Sequence, residues 1–207
     1  MGIVKEIKLP TGVLYIWHIT ETLEVLSQDL VLSDCSQTRL AKKRYEQHQK
    51  AFLAVRQVLH QIGIADSELS YDDKGKPSLH SGLYISISHS FDYALVAISQ
   101  ENIGIDIELK REKIIRLKEK FCNPIELDQA PTAIDAQIDY LTEIWSVKEA
   151  LYKMCNSRSL SFAQDMAVDT TEKQAEIKQA EFSVSLTYQS CRLEDYVLVV
   201  SQIKNEE

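Results

Sequence analysis

Apolar and polar residues alternate along several short stretches of this chain, which is the pattern of β-strands that bury one face. Predicted strands occupy residues 13–19, 84–90, 93–99, 103–109, 166–169, 180–188 and 196–203. Elsewhere apolar residues recur every three or four positions, as in helices with one buried side. Predicted helices occupy residues 22–32, 33–61, 110–121 and 143–154, a short helix opens at Pro124, and residues 129–137 form a loop or an irregular helix.

The two halves of the chain have a similar order of elements. Each combines helices with strands short enough for one small antiparallel sheet, although no residue-level repeat is visible. The pattern therefore predicts an α+β fold in two parts, an N-terminal α+β half over residues 1–100 and a C-terminal α+β half over residues 101–207.

The segment Glu143–Met154 carries an aliphatic stripe and a second, aromatic band at helical spacing. A helix that is apolar on two sides is expected to pack on two sides, which would place Glu149 and Lys153 in a seam. An exposed glutamate–lysine pair one turn apart contributes only about 0.2–0.5 kcal/mol. Taken alone, this pair is better explained as an ordinary surface pair.

The strand Ile103–Leu109 places its isoleucines on one face and Gly104, Asp106 and Glu108 on the other. Two carboxylates on one face can bind a hard cation, although a solvated sheet face explains them as well. With Glu149 as a third oxygen ligand, the set would suit Mg²⁺, or alternatively Mn²⁺, better than Zn²⁺.

The turn that contains Lys76 and Pro77, and the strand end with His89 and Ser90, are candidate phosphate ligands. A lysine on a rigid turn is a common way to meet a phosphate, and a plain surface turn is the alternative. The Ser-His-Ser stretch at 88–90 lacks the G-x-S-x-G elbow of a serine hydrolase. We therefore interpret His89 and Ser90 as hydrogen-bond donors to phosphate, with a structural histidine as the alternative.

The composition is that of an ordinary globular protein, with 44% hydrophobic and 26% charged residues among 207. A formal net charge of −8 disfavours nucleic acid, so an anionic ligand needs a local basic patch. No stretch approaches a membrane span. The four cysteines form no C-x-x-C pair, which argues against a soft-metal site and favours the cytoplasm. We expect a cytoplasmic protein with no nucleic-acid or membrane partner.

Five short motifs together resemble one family. Gly104–Glu108 followed by Trp145–Lys153 is similar to the paired signature of the 4'-phosphopantetheinyl transferases. The preceding order of Gly75–Pro77 and Ile87–Ser90 resembles the longer Sfp-type branch, which also has a motif similar to Phe121–Glu126 between the two signatures. The resemblance covers about residues 40 to 170.

The resemblance implies a fold and a reaction. The fold would be a pseudodimer of two similar α+β halves, with coenzyme A between them. The enzyme would transfer the 4'-phosphopantetheine arm of coenzyme A to a serine of an apo acyl or peptidyl carrier protein and release 3',5'-ADP. A non-catalytic coenzyme A- or carrier-binding homologue and a Mg²⁺-dependent phosphohydrolase are the alternatives.

The resemblance also assigns roles to residues. Asp106, Glu108 and Glu149 would hold Mg²⁺, Lys153 would stabilise the leaving phosphate, and Glu126 or Glu149 would help to deprotonate the serine. The residues that would contact the nucleotide end of coenzyme A are Lys76, Pro77, His89 and Ser90, and the candidates for the 3'-phosphate are Lys43, Arg44 and Arg56.

The stretch Lys110–Lys120, called the basic segment below, is rich in lysine and arginine. Carrier proteins of this family are usually acidic, and this chain is acidic as well, so docking needs a local patch of opposite charge. We therefore expect the basic segment to meet the carrier, with a solvated amphipathic helix as the alternative. Members of the Sfp-type branch are usually monomers, and the resemblance implies the same here.

Overall fold

The computed structural model describes residues 2–155, 159–179 and 182–203. It confirms the predicted α+β class, with antiparallel sheets and helices. The chain divides into two compact units, Met1–Glu101 and Asn102–Glu207, each with its own core. No helix within the described ranges is long and apolar enough to cross a membrane.

A four-stranded antiparallel sheet and a short hairpin form the framework of the N-terminal unit. The strands are β1 (Lys5–Leu9), β2 (Gly12–His18), β3 (Leu69–Tyr71), β4 (Pro77–Leu79), β5 (Tyr84–Ser90) and β6 (Tyr93–Ser99). The order in the sheet is β1-β2-β6-β5, and β3 pairs with β4. The predicted bounds of β5 and β6 are confirmed. The sequence analysis missed β1, which has three exposed residues in five and so gives little apolar alternation.

Three helices complete this unit: α1 (Leu23–Ser27), α2 (Asp34–Ala41) and α3 (Glu46–Gln61). The helix predicted over residues 22–32 is shorter, and Asp29 beyond it has a left-handed φ of 61°. The helix predicted over residues 33–61 is broken between Ala41 and Glu46. Helix α2 buries only Ser36, whereas α3 buries a continuous stretch from Ala51 to Leu59. Because α2 buries so few side chains, little burial energy is available to hold α2 and α3 together as one continuous helix.

A five-stranded antiparallel sheet forms the framework of the C-terminal unit. Its strands are β7 (Ile103–Leu109), β8 (Met166–Asp169), β9 (Gln174–Gln179), β10 (Phe182–Leu193) and β11 (Tyr196–Ile203). The order is β7-β11-β10-β9-β8. The predictions for β7, β8 and β11 are confirmed. Strand β9 was missed, and β10 extends five residues beyond the predicted end at residue 188 because its pairing with β11 continues to the Leu193–Tyr196 pair.

The helices of this unit are α4 (Pro124–Asp128), α5 (Ile134–Met154) and α6 (Phe162–Asp165). Helix α5 packs on β7 and β11, and it begins inside the stretch that was predicted to be a loop or an irregular helix. The basic segment forms a 3-10 helix over Glu112–Lys120 instead of the predicted helix over residues 110–121. In a 3-10 helix residues three apart share a face, so Ile114 and Leu117 both turn towards the core.

Candidate functional site

The C-terminal unit brings helix α5 against strand β7, and Gly104 makes this approach possible. A Cβ atom at Gly104 would lie only 2.1 Å from the carbonyl oxygen of Ala150. Because no side chain fits in this space, the two backbones can lie close together. Asp106 and Glu108 follow Gly104 on the same strand face, so the approach sets both carboxylates beside side chains of α5.

Lys153 pairs with the first of these carboxylates. Its Nζ donates to Asp106 Oδ1 at 2.8 Å and to the carbonyl oxygen of Ile105 at 2.9 Å. Asp106 is only 4% exposed, and a buried carboxylate is costly unless it is paired. Lys153, which was expected to meet a phosphate, therefore offsets the charge of Asp106 in this structure.

Trp145 orients the second carboxylate. Its Nε1 donates to Glu108 Oε1 at 3.1 Å. The indole ring packs edge-on against Phe121, with centroids 5.3 Å apart, and lies 5.4 Å from the ring of Phe162. Trp145, from the predicted aromatic band of α5, thus lies beside Glu108. Its ring contacts with Phe121 and Phe162 hold the indole N–H in the direction of the Glu108 carboxylate.

Glu149 is half-buried on α5, one turn before Lys153. Burial, the charge of Asp106 and, to a smaller extent, the charge of Glu108 together raise the pKa of Glu149 to about 7, against a lowering effect of Lys153. A carboxyl whose pKa responds to two other carboxylates lies within their electrostatic reach. We call the group of Asp106, Glu108, Glu149 and Lys153 the acid seam.

The acid seam supplies the carboxylate oxygens that a hard cation prefers. Within the described ranges, however, no three histidine, cysteine, aspartate or glutamate side chains lie close enough together to hold a metal ion. Asp106 is hydrogen-bonded to Lys153 at 2.8 Å in this arrangement. The structure therefore brings Asp106, Glu108 and Glu149 into electrostatic contact without forming the complete ligand set that the sequence predicts.

A cavity of about 190 Å³ adjoins the acid seam. Glu108 lies on its wall, together with the basic segment and the aromatic side chains that hold it. The lining residues that matter here are Glu108, Arg111, Lys113, Ile114, Leu117, Phe121 and Trp145. The cavity thus lies between the apolar side chains of the basic segment and the carboxylate of Glu108.

Glu126 lies in an environment different from the one expected of a general base. Its carboxylate is 1% exposed and receives Lys148 Nζ at 2.7 Å. It also accepts the backbone N–H groups of Asn123 at 2.8 Å and Val168 at 2.9 Å. A general base needs an oxygen within reach of the substrate proton. We therefore do not assign this role to Glu126.

Glu143 forms a second buried ionic cluster, on the opposite side of α5. It is 4% exposed and accepts hydrogen bonds from the side chains of Lys173, Tyr188, Ser190 and Arg192. Burial by itself raises the pKa of this carboxyl, but the bonds from Lys173 and Arg192 lower it overall. The cluster ties α5 to β10, and the sequence analysis missed it because the partners are far apart in the chain.

Arg56, one of the candidates for the 3'-phosphate, is buried in the N-terminal unit. It is 3% exposed, and its Nε donates to Asp66 Oδ1 at 3.1 Å. Its Nη2 donates to the hydroxyl groups of Ser36 and Tyr71. Burial tends to raise the pKa of Asp66, but its hydrogen bonds and the charge of Arg56 lower it overall. These contacts show Arg56 joining α2, α3 and β3.

A cationic cluster lies around Arg56. The guanidinium of Arg39 stacks 3.7 Å from the ring centroid of Tyr71, and Lys43 Nζ lies 5.5 Å from that of Phe52. Burial lowers the pKa of Lys43, and the charges of Arg39 and Arg56 lower it further. An anion here would relieve this repulsion. The sequence analysis missed Arg39, although it lies one helical turn before Lys43.

The other predicted phosphate ligands of the N-terminal unit lie on neighbouring elements. The backbone N–H of Lys76 donates to Asp72 Oδ1 at 2.8 Å, and Gly75 has a φ of 87° that few other residues adopt, so the turn is well defined. Pro77 begins β4, which contacts β5. On β5, His89 is exposed and Ser90 is buried. Arg44 is also exposed, between α2 and α3.

Two family profiles match most of the chain. Residues 102–201 match the 4'-phosphopantetheinyl transferase superfamily, and residues 36–99 match the 4'-phosphopantetheinyl transferase N-terminal domain. Each matched range lies within one structural unit; the match over residues 102–201 spans nearly all of the C-terminal unit, whereas the match over residues 36–99 leaves out residues 1–35 of the N-terminal unit.

Parts of the chain are similar in sequence to individual curated proteins. The chain is 33% identical over 94 residues to a 4'-phosphopantetheinyl transferase of Bacillus subtilis, covering 44% of this chain and 42% of the relative. It is 30% identical over 109 residues to the 4'-phosphopantetheinyl transferase Sfp of Bacillus subtilis, covering 51% and 48%. It is 29% identical over 119 residues to enterobactin synthase component D of Salmonella typhimurium, covering 56% and 50%.

The chain thus spans about half the length, or less, of the curated relatives it matches. Both family profiles nevertheless describe the same superfamily, and each matches one structural unit. The chain belongs to the 4'-phosphopantetheinyl transferase superfamily, whose Sfp-type members it resembles.

Proposed function

We propose that this chain transfers the 4'-phosphopantetheine arm of coenzyme A to a serine of an apo acyl or peptidyl carrier protein. The observation that supports this most strongly is the acid seam, in which two strand carboxylates face a glutamate and a lysine of α5. The serine oxygen would bond to the phosphorus that bears pantetheine. The bridging P–O bond would break, and 3',5'-ADP would leave with the bridging oxygen.

Asp106, Glu108 and Glu149 are the residues that would hold Mg²⁺, or alternatively Mn²⁺. A bound divalent cation at this position supplies charge neutralisation for the pyrophosphate oxygens. The ammonium group of Lys153 lies beside the same carboxylates, and we propose that it stabilises the negative charge of the departing phosphate. Glu149 is half-buried, whereas Glu126 is fully buried, so we assign to Glu149 the role of accepting the proton of the attacking serine.

We assign the nucleotide end of coenzyme A to the N-terminal unit. Lys76, Pro77, His89 and Ser90 lie on or beside the neighbouring strands β4 and β5. For the 3'-phosphate, Lys43 remains the candidate with the clearest support. Burial and, after it, the charges of Arg39 and Arg56 lower its pKa, and a bound phosphate would offset the repulsion from both arginines. Arg44 stays a candidate, whereas the buried pairing of Arg56 favours a structural role.

The basic segment is the surface that we propose for the carrier. Its exposed cations include Arg116 and Lys120, while Ile114 and Leu117 line the cavity beside Glu108. Cationic and apolar groups together suit an acidic partner with some apolar surface. We further propose that the chain acts as a monomer in the cytoplasm, in keeping with its four free cysteines.

Mass spectrometry of a mixture of the protein, coenzyme A and an apo carrier tests this proposal, with Mg²⁺ present or chelated. Transfer predicts that the carrier gains one phosphopantetheine unit, that an equal amount of 3',5'-ADP forms, and that chelation stops both. Binding of coenzyme A with no gain in carrier mass would indicate a non-catalytic homologue. Cleavage of coenzyme A without carrier modification would indicate a phosphohydrolase.

A further inference from the structure

We propose that the buried Lys148–Glu126 ion pair is a positioning device for Glu108, acting through Phe121 and Trp145. The inference rests on the proposed function, because Glu108 needs a fixed position only if the acid seam serves the transfer. Neither Lys148 nor Glu126 touches the reacting groups in this account, so both are positioning residues.

Lys148 gathers several chain segments onto α5. Its side chain is 0% exposed, and its Nζ donates to Glu126 Oε2 at 2.7 Å and to the carbonyl oxygen of Phe121 at 2.8 Å. It also donates to the carbonyl oxygens of Phe162 at 2.9 Å and Met166 at 3.1 Å. One ammonium group thus joins Phe121, which directly follows the basic segment, and the elements α4, α6 and β8 to the helix that carries Glu149.

Glu126 completes this junction from the other side. Its two oxygens accept Lys148 Nζ and the backbone N–H groups of Asn123 and Val168. The bond to Asn123 belongs to a capping box that fixes the start of α4. The bond to Val168 holds the edge strand β8. The carboxylate is therefore committed to three fixed donors.

Phe121 connects the Lys148–Glu126 pair to the acid seam through its contact with Trp145. Its carbonyl oxygen is bound to Lys148, and its ring is 1% exposed and lies 5.3 Å from the ring of Trp145. Trp145 Nε1 in turn donates to Glu108 Oε1 at 3.1 Å. A shift of Phe121 would therefore move Trp145, and with it the donor that orients Glu108.

The chemical nature of the pair supports a positioning role. Replacing a buried ion pair by apolar side chains often leaves a protein as stable or more stable. Hydrogen bonds are directional, whereas van der Waals contacts are not. The hydrogen bonds of Lys148 and Glu126 therefore set the positions of their partners more narrowly than two apolar side chains would. The directed hydrogen bonds of the pair thus fix the position of Phe121 beside the acid seam.

Four variants and one control test this inference, and the fourth variant, Glu126→Asp, keeps the charge of the carboxylate. Lys148→Met and Glu126→Gln each remove one charge, and the double variant Lys148→Met/Glu126→Gln leaves no unpaired buried charge. Lys173→Met is the matched control, because it removes a lysine from the Glu143 cluster on the other side of α5. All are made in a Trp17→Phe background, so that Trp145 is the sole tryptophan and its emission reports its packing.

We expect the double variant to stay folded but to melt below the parent, because the carbonyl oxygens of Phe121, Phe162 and Met166 lose their donor. Its kcat for carrier modification should fall by about 100-fold, the scale of a small misplacement of catalytic groups. The KM for coenzyme A should change less than kcat, and the emission of Trp145 should shift to longer wavelength. The Lys173→Met control should keep the parent kcat and emission spectrum. Glu126→Asp, which keeps the charge, should recover part of the kcat lost in Glu126→Gln.

The inference is overturned if the folded double variant keeps both the parent kcat and the parent emission spectrum. It is also overturned if Lys173→Met lowers kcat as much as Lys148→Met, since any loss of an ion pair on α5 would then have the same effect. If the parent protein transfers nothing to a carrier, the proposed function fails. The emission spectra still decide whether the pair positions Trp145.

Discussion

At the scale of single residues, the acid seam depends on one missing side chain. Gly104 allows α5 to lie on β7, and this contact brings Glu149 and Lys153 next to Asp106 and Glu108. The alternation along β7 predicted which residues share its face. The burial of Lys148 was not predictable in the same way, because lysine is rarely buried and its four acceptors come from distant parts of the chain.

Substitution of Gly104 by alanine tests the close approach. The new Cβ would meet the carbonyl oxygen of Ala150 at 2.1 Å, and backbone atoms cannot move aside without shifting the helix. We expect a loss of unfolding free energy of about 1–3 kcal/mol, typical of overpacking, measured by urea denaturation. Gly2→Ala is the control, because its Cβ would meet only the flexible end of Gln61, 3.1 Å away. Equal stability of the two variants would disprove the contact.

At the scale of elements, α5 is held on two sides by buried ionic clusters. The Lys148–Glu126 pair holds one side, and Glu143 with Lys173 and Arg192 holds the other. The sequence predicted that this helix packs on two sides, because it has two apolar bands. It did not predict the break between α2 and α3 or the 3-10 form of the basic segment, because both depend on how much apolar surface each element buries in the folded unit.

The Glu143 cluster makes a pH-dependent contribution to stability. Its hydrogen bonds to Lys173 and Arg192 lower the pKa of Glu143 in the folded state, so the ionised form is stabilised by folding. This contribution is complete above the unfolded pKa of about 4.3 and is lost as the pH falls through the lower, folded value. Glu143→Gln should therefore be less stable than the parent by about 1–3 kcal/mol at pH 7.

Urea denaturation of the parent and of Glu143→Gln between pH 7 and pH 3 checks this expectation. The difference in unfolding free energy should narrow below about pH 4, where the parent carboxylate becomes protonated. Glu172→Gln, at an exposed position, serves as the control and should follow the parent at every pH. A difference that stayed constant down to pH 3 would contradict the assigned pKa direction.

At the scale of the whole molecule, the two units match two profiles of one superfamily and supply different groups to the proposed reaction. The N-terminal unit has the cationic cluster and the Lys76 turn, and the C-terminal unit has the acid seam. The sequence was sufficient for the α+β class and for the residues of the seam, since short motifs and strand alternation are local signals. The roles of Arg56 and Glu126 required the structure, because burial and pairing depend on residues far away in sequence.

Reversal of charge on the basic segment tests the proposed carrier surface. We expect Arg116→Glu/Lys120→Glu to raise the KM for the carrier by roughly up to fivefold for each charge, since exposed ion pairs contribute about 0.2–1 kcal/mol. The KM for coenzyme A should stay unchanged. Lys5→Glu/Lys8→Glu on β1 makes the same change in net charge at exposed positions and should leave both constants unaltered. Equal losses for carrier and coenzyme A would count against a docking role.

The intact mass of an apo carrier shows whether the acid seam performs the transfer, when the carrier is incubated with coenzyme A, Mg²⁺ and either the parent protein or Glu149→Gln. Glu172→Gln is the matched control, because it makes the same chemical change at an exposed position of the same unit. We expect a gain of one phosphopantetheine unit with the parent and the control, at rates at least about 100-fold above that of Glu149→Gln. A Glu149→Gln variant that modified the carrier as fast as the parent would contradict this role of the acid seam.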